Sequence, residues 1–122
     1  YHTNVMMALG ETFVVICLDT VRDPRERAEL ERRFRETGKE IVAITLDQMN
    51  AFAGNMLQVR NDRDETLLVM SEQAFRALTP DQTGALERHT RLFHQPIDTI
   101  ETYGGGSARC MMAEVFLPAS AE

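Results

Sequence analysis

The stretch Gly104-Gly105-Gly106-Ser107-Ala108-Arg109-Cys110-Met111 places three consecutive glycines shortly before a single cysteine. Glycine adopts positive φ angles without a steric penalty, so three in a row predict a tight loop. Residues 111–117 are mostly apolar and predict a strand, so Cys110 is expected where the loop meets a rigid element. Arg109 is a candidate to stabilise the thiolate, which is the nucleophilic form of cysteine. The sequence therefore nominates Cys110 as a catalytic nucleophile.

A nucleophilic cysteine also needs a group that transfers protons. The best candidate lies at the other end of the chain, in Tyr1-His2-Thr3-Asn4-Val5. The pattern of residues 2–9 predicts a strand, and alternation along a strand puts His2 and Asn4 on the same face. We therefore expect His2 to act with Cys110 as the catalytic pair.

Composition excludes several classes of protein. The chain of 122 residues is long enough for one modest core, and its net charge of −6, from 13 basic and 19 acidic residues, argues against binding to nucleic acid. The longest apolar runs, such as residues 13–18, are too short to span a bilayer, and the start of the chain lacks the pattern of a signal peptide. Cys17 and Cys110 make no disulfide framework, which predicts a reducing, cytoplasmic compartment. Without a CxxC or HxxxH pattern, neither a metal nor a cofactor is predicted.

The predicted elements repeat along the chain. The first unit, residues 1–53, has predicted strands at 2–9, 12–18 and 40–45 and a helix between Asp23-Pro24 and Gly38. The second unit, residues 54–103, has predicted strands at 55–59, 65–70 and 96–100 and helices capped by Ser71 and Thr79. Residues 104–122 are expected to begin a third copy as a closing strand. The predicted fold class is therefore α/β, with two ββαβ modules and a closing strand.

Three motifs together resemble one known superfamily: residues 1–7, Phe52-Ala53-Gly54-Asn55-Met56-Leu57, and residues 104–111. The chain resembles the C-terminal part of an amidinotransferase/arginine deiminase (pentein) enzyme, with the citrulline-utilisation hydrolase branch as the nearest match. The resemblance implies an α/β-propeller of five ββαβ modules, of which this chain supplies about two and the closing strand. The N-terminal modules, which bring acidic residues to the site, would then be missing. The start at Tyr1, inside a predicted strand, also suggests a fragment or a cut product.

The resemblance implies roles for three residues. Cys110 matches the family nucleophile, which attacks the central carbon of a guanidinium or ureido group, and His2 matches the general acid/base. Asn4 matches a substrate-binding position that is commonly Asp in members that process guanidines. An Asn offers both a donor and an acceptor, which suits a neutral ureido group. The expected reaction is hydrolysis of citrulline to ornithine, carbon dioxide and ammonia through an S-carbamoyl cysteine.

Two alternatives remain open at this stage. Within the enzyme class, the alternative is an arginine deiminase or an amidinotransferase, and the choice of substrate distinguishes them. Outside that class, it is an inactive fragment that lacks half of the site and self-associates through open sheet edges. We expect a small amino-acid substrate and a homo-oligomer, with neither nucleic acid nor membrane as a partner.

Four other residues have plainer interpretations. Cys17 lies within an apolar run and is predicted to pack in the core. His89 and His94 are predicted to be surface or helix-end histidines. Asn55 follows a glycine at the start of a strand, so a turn role is favoured over contact with substrate.

Overall fold

Two three-stranded sheets with the same strand order and the same strand directions form the framework of the protein. The structure is a computed structural model and describes residues 2–118. The first sheet contains β1 (Met7–Leu9), β2 (Phe13–Ile16) and β3 (Glu40–Ala43), and the second contains β4 (Leu57–Arg60), β5 (Thr66–Ser71) and β6 (Arg91–Gln95). In each sheet the first two strands are antiparallel and the last two are parallel, in the order of the sequence. This arrangement confirms the two predicted ββαβ repeats.

Within residues 2–118, six α-helices connect or flank the strands: α1 (Thr3–Met6), α2 (Pro24–Glu36), α3 (Leu46–Asn50), α4 (Glu72–Ala77), α5 (Pro80–Glu87) and α6 (Asp98–Gly104). The predicted starts of three of them are confirmed. Asp23 caps α2 by accepting a hydrogen bond from the backbone N–H of Arg25 at 2.8 Å. Ser71 caps α4 through the N–H of Ala74, and Thr79 opens α5 with Pro80 at the first helical position.

Two capping boxes face each other and join the repeats. In α3, Thr45 and Gln48 exchange the hydrogen bonds of a capping box, and Thr79 and Gln82 do the same in α5. The side-chain amides of Gln48 and Gln82 then donate to each other, at 2.7 and 3.1 Å. Each amide also donates to a backbone carbonyl of the other repeat. No helix was predicted from the sequence between the strand at 40–45 and the second unit, and the box explains why α3 forms there.

One hydrophobic core is shared between the two sheets. It contains Phe13, Val15, Cys17, Val42, Ile44, Met56, Leu68, Met70 and Leu86, together with smaller residues. Fully burying one such large side chain contributes about 1.5–3 kcal/mol. Cys17 has no exposed surface, which confirms its predicted place in the core, and burial raises the pKa of its thiol.

The N-terminal residues form a helical turn where the sequence analysis predicts a strand. The antiparallel pairing of β1 with β2 begins at Met7, opposite Ile16. Beyond Ile16 the chain continues through Cys17 into a 3₁₀ turn, Leu18–Thr20, so residues 2–6 have no neighbouring strand. Their backbone groups bond outside a strand ladder instead: the N–H of Val5 donates to the carbonyl of His2, and the carbonyl of Met6 accepts from the N–H of Cys17. His2 and Asn4 are therefore not related by strand alternation.

The last strand of the second repeat lies five residues earlier than predicted, at 91–95 rather than 96–100. It pairs in parallel with β5, from Leu67 opposite Arg91 to Ser71 opposite Gln95. Pro96 has no N–H to donate to a ladder, and the chain turns into α6 soon after it.

The predicted closing strand is absent from the part of it that the structure describes. Within residues 104–122, α6 ends at Gly104, a 3₁₀ turn covers Ala108–Met111, and residues 112–118 have no regular secondary structure. A strand needs a neighbour to pair its backbone, and no described residue pairs with this segment. Its apolar side chains Val115, Phe116 and Leu117 are exposed. Tyr1 and residues 119–122, which also belong to these predictions, lie outside the described residues.

Over the described residues, no helix is both long enough and apolar enough to cross a membrane.

Candidate active site

A cleft of about 1180 Å³ brings together residues from both ends of the chain. Its wall includes His2 and Asn4 from the N-terminal turn, and Gly105, Gly106 and Cys110 from the glycine-rich loop. The remaining lining residues are Val5, Met6, Thr20, Met49, Asn50, Phe52 and Asn55. All three residues that the sequence analysis predicts for the site therefore border one cavity.

The glycine-rich loop presents an exposed thiol. Cys110 lies in the 3₁₀ turn that follows the loop, and its N–H donates to the carbonyl of Ser107 at 3.0 Å. Gly105 has φ +69°, a left-handed conformation that glycine adopts without strain. A Cβ on Gly106 would lie 3.0 Å from Cys110 Sγ, so the thiol occupies the space that any larger residue would fill. The glycines thus shape the loop around the sulfur.

A buried carboxylate supports the loop from behind. Glu101, in the middle of α6, is 5% exposed, and its Oε2 accepts a hydrogen bond from Ser107 Oγ at 2.8 Å. Ser107 is fully buried, and its carbonyl is the one that holds the N–H of Cys110. Glu101 Oε1 is buried without a hydrogen-bond partner among the described residues. No role was predicted for this pair from the sequence.

The N-terminal turn forms the facing wall. His2 precedes α1 with an extended backbone and an exposed side chain, and its carbonyl accepts from the N–H of Val5 at 3.1 Å. Asn4 lies within α1 and is half-buried. A helical turn, rather than one face of a strand, therefore presents both side chains to the cleft.

Asn55 links the two walls, which the sequence analysis did not anticipate. Its Nδ2 donates to the backbone carbonyl of Asn4 at 2.8 Å and to Cys110 Sγ at 3.3 Å. Only 2% of the residue is exposed, and its Oδ1 is buried without a partner. A turn role does not account for these contacts. The internal repeat offered a signal, because Asn4, Asn55 and Cys110 each precede two apolar residues at the start of a repeat.

Arg109 does not contact the thiol in the way its sequence position suggests. Its Nη1 donates to the backbone carbonyl of Met7 at 3.1 Å. The guanidinium therefore ties the cysteine-bearing turn to β1.

The other two histidines pair with carboxylates outside the cleft. His89 follows α5, as predicted for a helix-end histidine, and bonds to Thr12 Oγ1 at 2.8 Å and to Glu40 Oε2 at 2.5 Å. His94 lies in β6, pairs with Glu72 and stacks on Phe75. The hydrogen bonds with these histidines are the main reason why the carboxyl pKa values of Glu40 and Glu72 lie below their usual value.

No cluster of three or more His, Cys, Asp or Glu side chains with the spacing of a metal site occurs within residues 2–118.

Comparisons with known proteins agree with this architecture. A sequence model of the family described as N,N dimethylarginine dimethylhydrolase, eukaryotic, matches residues 1–117. ArgZ in its apo form, an arginine dihydrolase from the ornithine-ammonia cycle in Cyanobacteria, is 18% identical with a TM-score of 0.68, over 97% of this chain and 17% of that chain. The N-terminal domain of ArgZ, bound to product, is 17% identical with a TM-score of 0.63, over 91% of this chain and 36% of that chain. No curated protein matches the sequence.

The family match and the two ββαβ units place the chain in the pentein, or amidinotransferase, superfamily. Within it, the chain belongs to the family of N,N dimethylarginine dimethylhydrolase, eukaryotic. The predicted superfamily is thereby confirmed, whereas the citrulline-utilisation branch stays a prediction. The chain spans about a sixth and about a third of the two matched ArgZ chains, 17% and 36%.

Proposed function

We propose that this chain carries the nucleophile and the general acid/base of a cysteine-dependent hydrolase that cleaves a C–N bond of a guanidino or ureido amino acid. The observation that supports the proposal is the shared cleft. Cys110 and His2 come from opposite ends of the sequence, yet both line it, and Cys110 is the exposed thiol of the two. Membership of the dimethylarginine dimethylhydrolase family supports the same class of reaction.

The proposed chemistry divides between these two residues. For a ureido substrate, Cys110 Sγ attacks the ureido carbon, and the bond from that carbon to the δ-nitrogen breaks as His2 protonates the leaving amine. Ornithine leaves, and an S-carbamoyl cysteine remains. His2 then takes a proton from water as the water attacks the same carbon. The S–C bond breaks, Cys110 is regenerated, and the carbamic acid that is released decomposes to carbon dioxide and ammonia.

We propose citrulline as the substrate because of Asn4. The side-chain amide of Asn4 offers a donor for a ureido oxygen and an acceptor for a ureido N–H. An Asp at this position would complement a cationic guanidinium instead. Asn4 lines the cleft together with Cys110, which supports a contact with the reacting group.

A guanidino substrate is the second candidate. The matched family is described by its action on N,N-dimethylarginine, and the structurally similar ArgZ is described as an arginine dihydrolase. On such a substrate the same thiol would displace an amine or ammonia from the guanidinium carbon, and water would then release citrulline.

The test uses the full-length protein with citrulline, arginine and N,N-dimethylarginine in parallel. Ornithine from citrulline, abolished by Cys110→Ala and by His2→Ala, is the expected result. Cys17→Ala is the matched control, because it removes the other thiol from a site in the core, and it should remain active. Citrulline formed from arginine or dimethylarginine would replace the substrate proposed here and keep the cysteine mechanism. No turnover of any of the three by a folded protein would overturn the proposal.

A further inference from the structure

We propose that Asn55 is a positioning residue that holds the Cys110 sulfur against the turn carrying His2 and Asn4. The inference rests on the proposed function for its catalytic consequence, but its contact with the thiol can be tested alone. Asn55 belongs to the second repeat, whereas the other two polar residues that it joins belong to the first repeat and to the cysteine loop. Its side chain is hydrogen-bonded to both of the other segments.

The hydrogen bonds determine the orientation of the Asn55 amide. The backbone carbonyl of Asn4 can only accept, so the atom 2.8 Å from it must be Nδ2 rather than Oδ1. The second hydrogen of Nδ2 is then free to point at Cys110 Sγ, 3.3 Å away. Sulfur accepts hydrogen bonds, and an N–H donor complements a negative charge on it. Both donors of Asn55 are thereby used, one on each wall of the cleft.

The same arrangement leaves Oδ1 of Asn55 buried and unpaired. A buried acceptor without a partner lowers stability, so its presence calls for an explanation other than stability. Three such side-chain atoms occur among the described residues, and two of them belong to Asn55 and Glu101. Both of these residues hold the Cys110 loop, one through Sγ and one through Ser107. Two of the three buried and unpaired polar atoms therefore lie on residues that hold the Cys110 loop. Such costly polar groups are expected at a functional site.

The backbone at Asn55 is also held rigidly. A Cβ on the preceding residue, Gly54, would lie 2.4 Å from the carbonyl oxygen of Val5, so this segment is in direct contact with α1. The N–H of Asn55 bonds to the carbonyl of Phe52 at 2.9 Å, and Phe52 has φ +67°, which is uncommon for a residue with a side chain. These contacts fix the backbone of Asn55, so its Nδ2 donor can hold the Cys110 sulfur in one position.

The first experiment measures the thiol without substrate. The full-length protein is alkylated with iodoacetamide at pH 7, and the Cys110 peptide is followed by mass spectrometry, which separates it from the buried Cys17. We expect Asn55→Ala to slow alkylation of Cys110 by about tenfold, the effect of losing one hydrogen bond to a charged group. Asn50→Ala removes the same type of side chain from the same cleft without a bond to the sulfur, and should alkylate like the wild type.

The comparison with Asn55→Asp separates positioning from space filling. Asp has the size of Asn but presents an oxygen to the Asn4 carbonyl and to the sulfur. If Asn55 acts as a donor, Asp is at least as damaging as Ala; if it only fills space, Asp is the milder change. Asn55→Ser retains one donor and should alkylate at a rate between the wild type and Ala, which covers the case in which Asp fails to fold. Equal alkylation rates in the folded wild type, Ala and Ser variants would overturn the proposal.

Turnover of the substrate found for the wild type supplies the second readout. Loss of positioning predicts a lower kcat with little change in KM, because Asn55 Oδ1 is buried and Nδ2 is engaged. Slower alkylation in a protein that turns over none of the three substrates would retain the role of Asn55 and reject the proposed function. Normal alkylation with normal turnover in Asn55→Ala would reject the role of Asn55 alone.

Discussion

Gly106 is the residue whose lack of a side chain matters most to the candidate nucleophile. A Cβ there would lie 3.0 Å from Cys110 Sγ and 3.1 Å from Cys110 Cβ, which is tighter than nine in ten real contacts of a Cβ. We predict that Gly106→Ala turns the thiol away from its present position and slows Cys110 alkylation and turnover by roughly tenfold to a hundredfold, since small misplacements of a reacting group have effects of this size. Stability, measured by urea unfolding, should change much less than turnover.

Gly104→Ala is the matched control for that prediction. Its added Cβ would meet only Ile100 Cγ2, at 3.9 Å, and residue 104 ends α6, where alanine is tolerated. Alkylation should therefore stay at the wild-type rate. Equal effects of the two substitutions would mean that general loosening of the loop, rather than contact with the sulfur, is responsible.

At the scale of single residues, the sequence indicated which side chains could take part in the chemistry, but it did not indicate which of them are in contact. Their roles stay predictions, but Cys110, His2 and Asn4 were nominated by motif and by family resemblance for the cleft that they line. Asn55 was not, because a glycine followed by an asparagine is also typical of an ordinary turn. Its bond to Cys110 joins residues 55 positions apart, and only the folded chain brings them together.

Among the elements, the paired capping boxes of α3 and α5 link the repeats through side-chain hydrogen bonds. Gln48 bonds to the N–H of Thr45, to Gln82 and to the carbonyl of Ala77. Gln48→Ala leaves these partners unsatisfied, and Gln48 is buried, so we predict a loss of about 1–3 kcal/mol in the free energy of unfolding. Urea unfolding measures this loss. Gln73→Ala, at an exposed position of α4, is the control and should change stability by less than about 0.5 kcal/mol.

A double-mutant cycle distinguishes a true pair from two independent helix caps. Gln82→Ala alone should also destabilise, because Gln82 bonds to Thr79 and to the carbonyl of Ala43. If the amides act as a unit, the double variant loses less than the sum of the two single changes, with a coupling of at least about 0.5 kcal/mol. Strict additivity would show that each glutamine serves its own helix only.

Elements with local signals were predictable, and elements that depend on distant partners were not. The starts of α2, α4 and α5 followed from caps and prolines within four residues. The strand predicted over residues 2–9 begins only at Met7, because pairing with β2 determines its length. The shift of the last strand to β6 has the same cause, since its ladder is set by β5. The apolar run at 111–117 lacks any such partner among the described residues and forms no strand.

On the scale of the whole molecule, charged residues border the shared core where the two repeats meet. Glu40 in β3 pairs with Arg88 at 2.7 Å and with His89 at 2.5 Å, both in the second repeat. Glu11, between β1 and β2, pairs with Arg60 of β4 at 2.6 Å. The contact between repeats is therefore apolar inside and ionic at its edge, which makes its strength dependent on pH.

Glu40 determines the direction of that dependence. Its hydrogen bond with His89, aided by Arg88, lowers the carboxyl pKa below its usual value, so the contact stabilises the fold above the ordinary carboxyl pKa of about 4.3 and is lost as the pH falls through the lowered value. Urea unfolding at pH 7 should show Glu40→Gln to be less stable than the wild type by at most about 1 kcal/mol, since this side chain is 38% exposed. The gap should close as the pH falls below about 4. Glu87→Gln, at an exposed neighbour without an ion pair in residues 2–118, should match the wild type at pH 7. A gap for Glu40→Gln that stays constant into acid would mean that the ionised carboxylate does not link the two repeats.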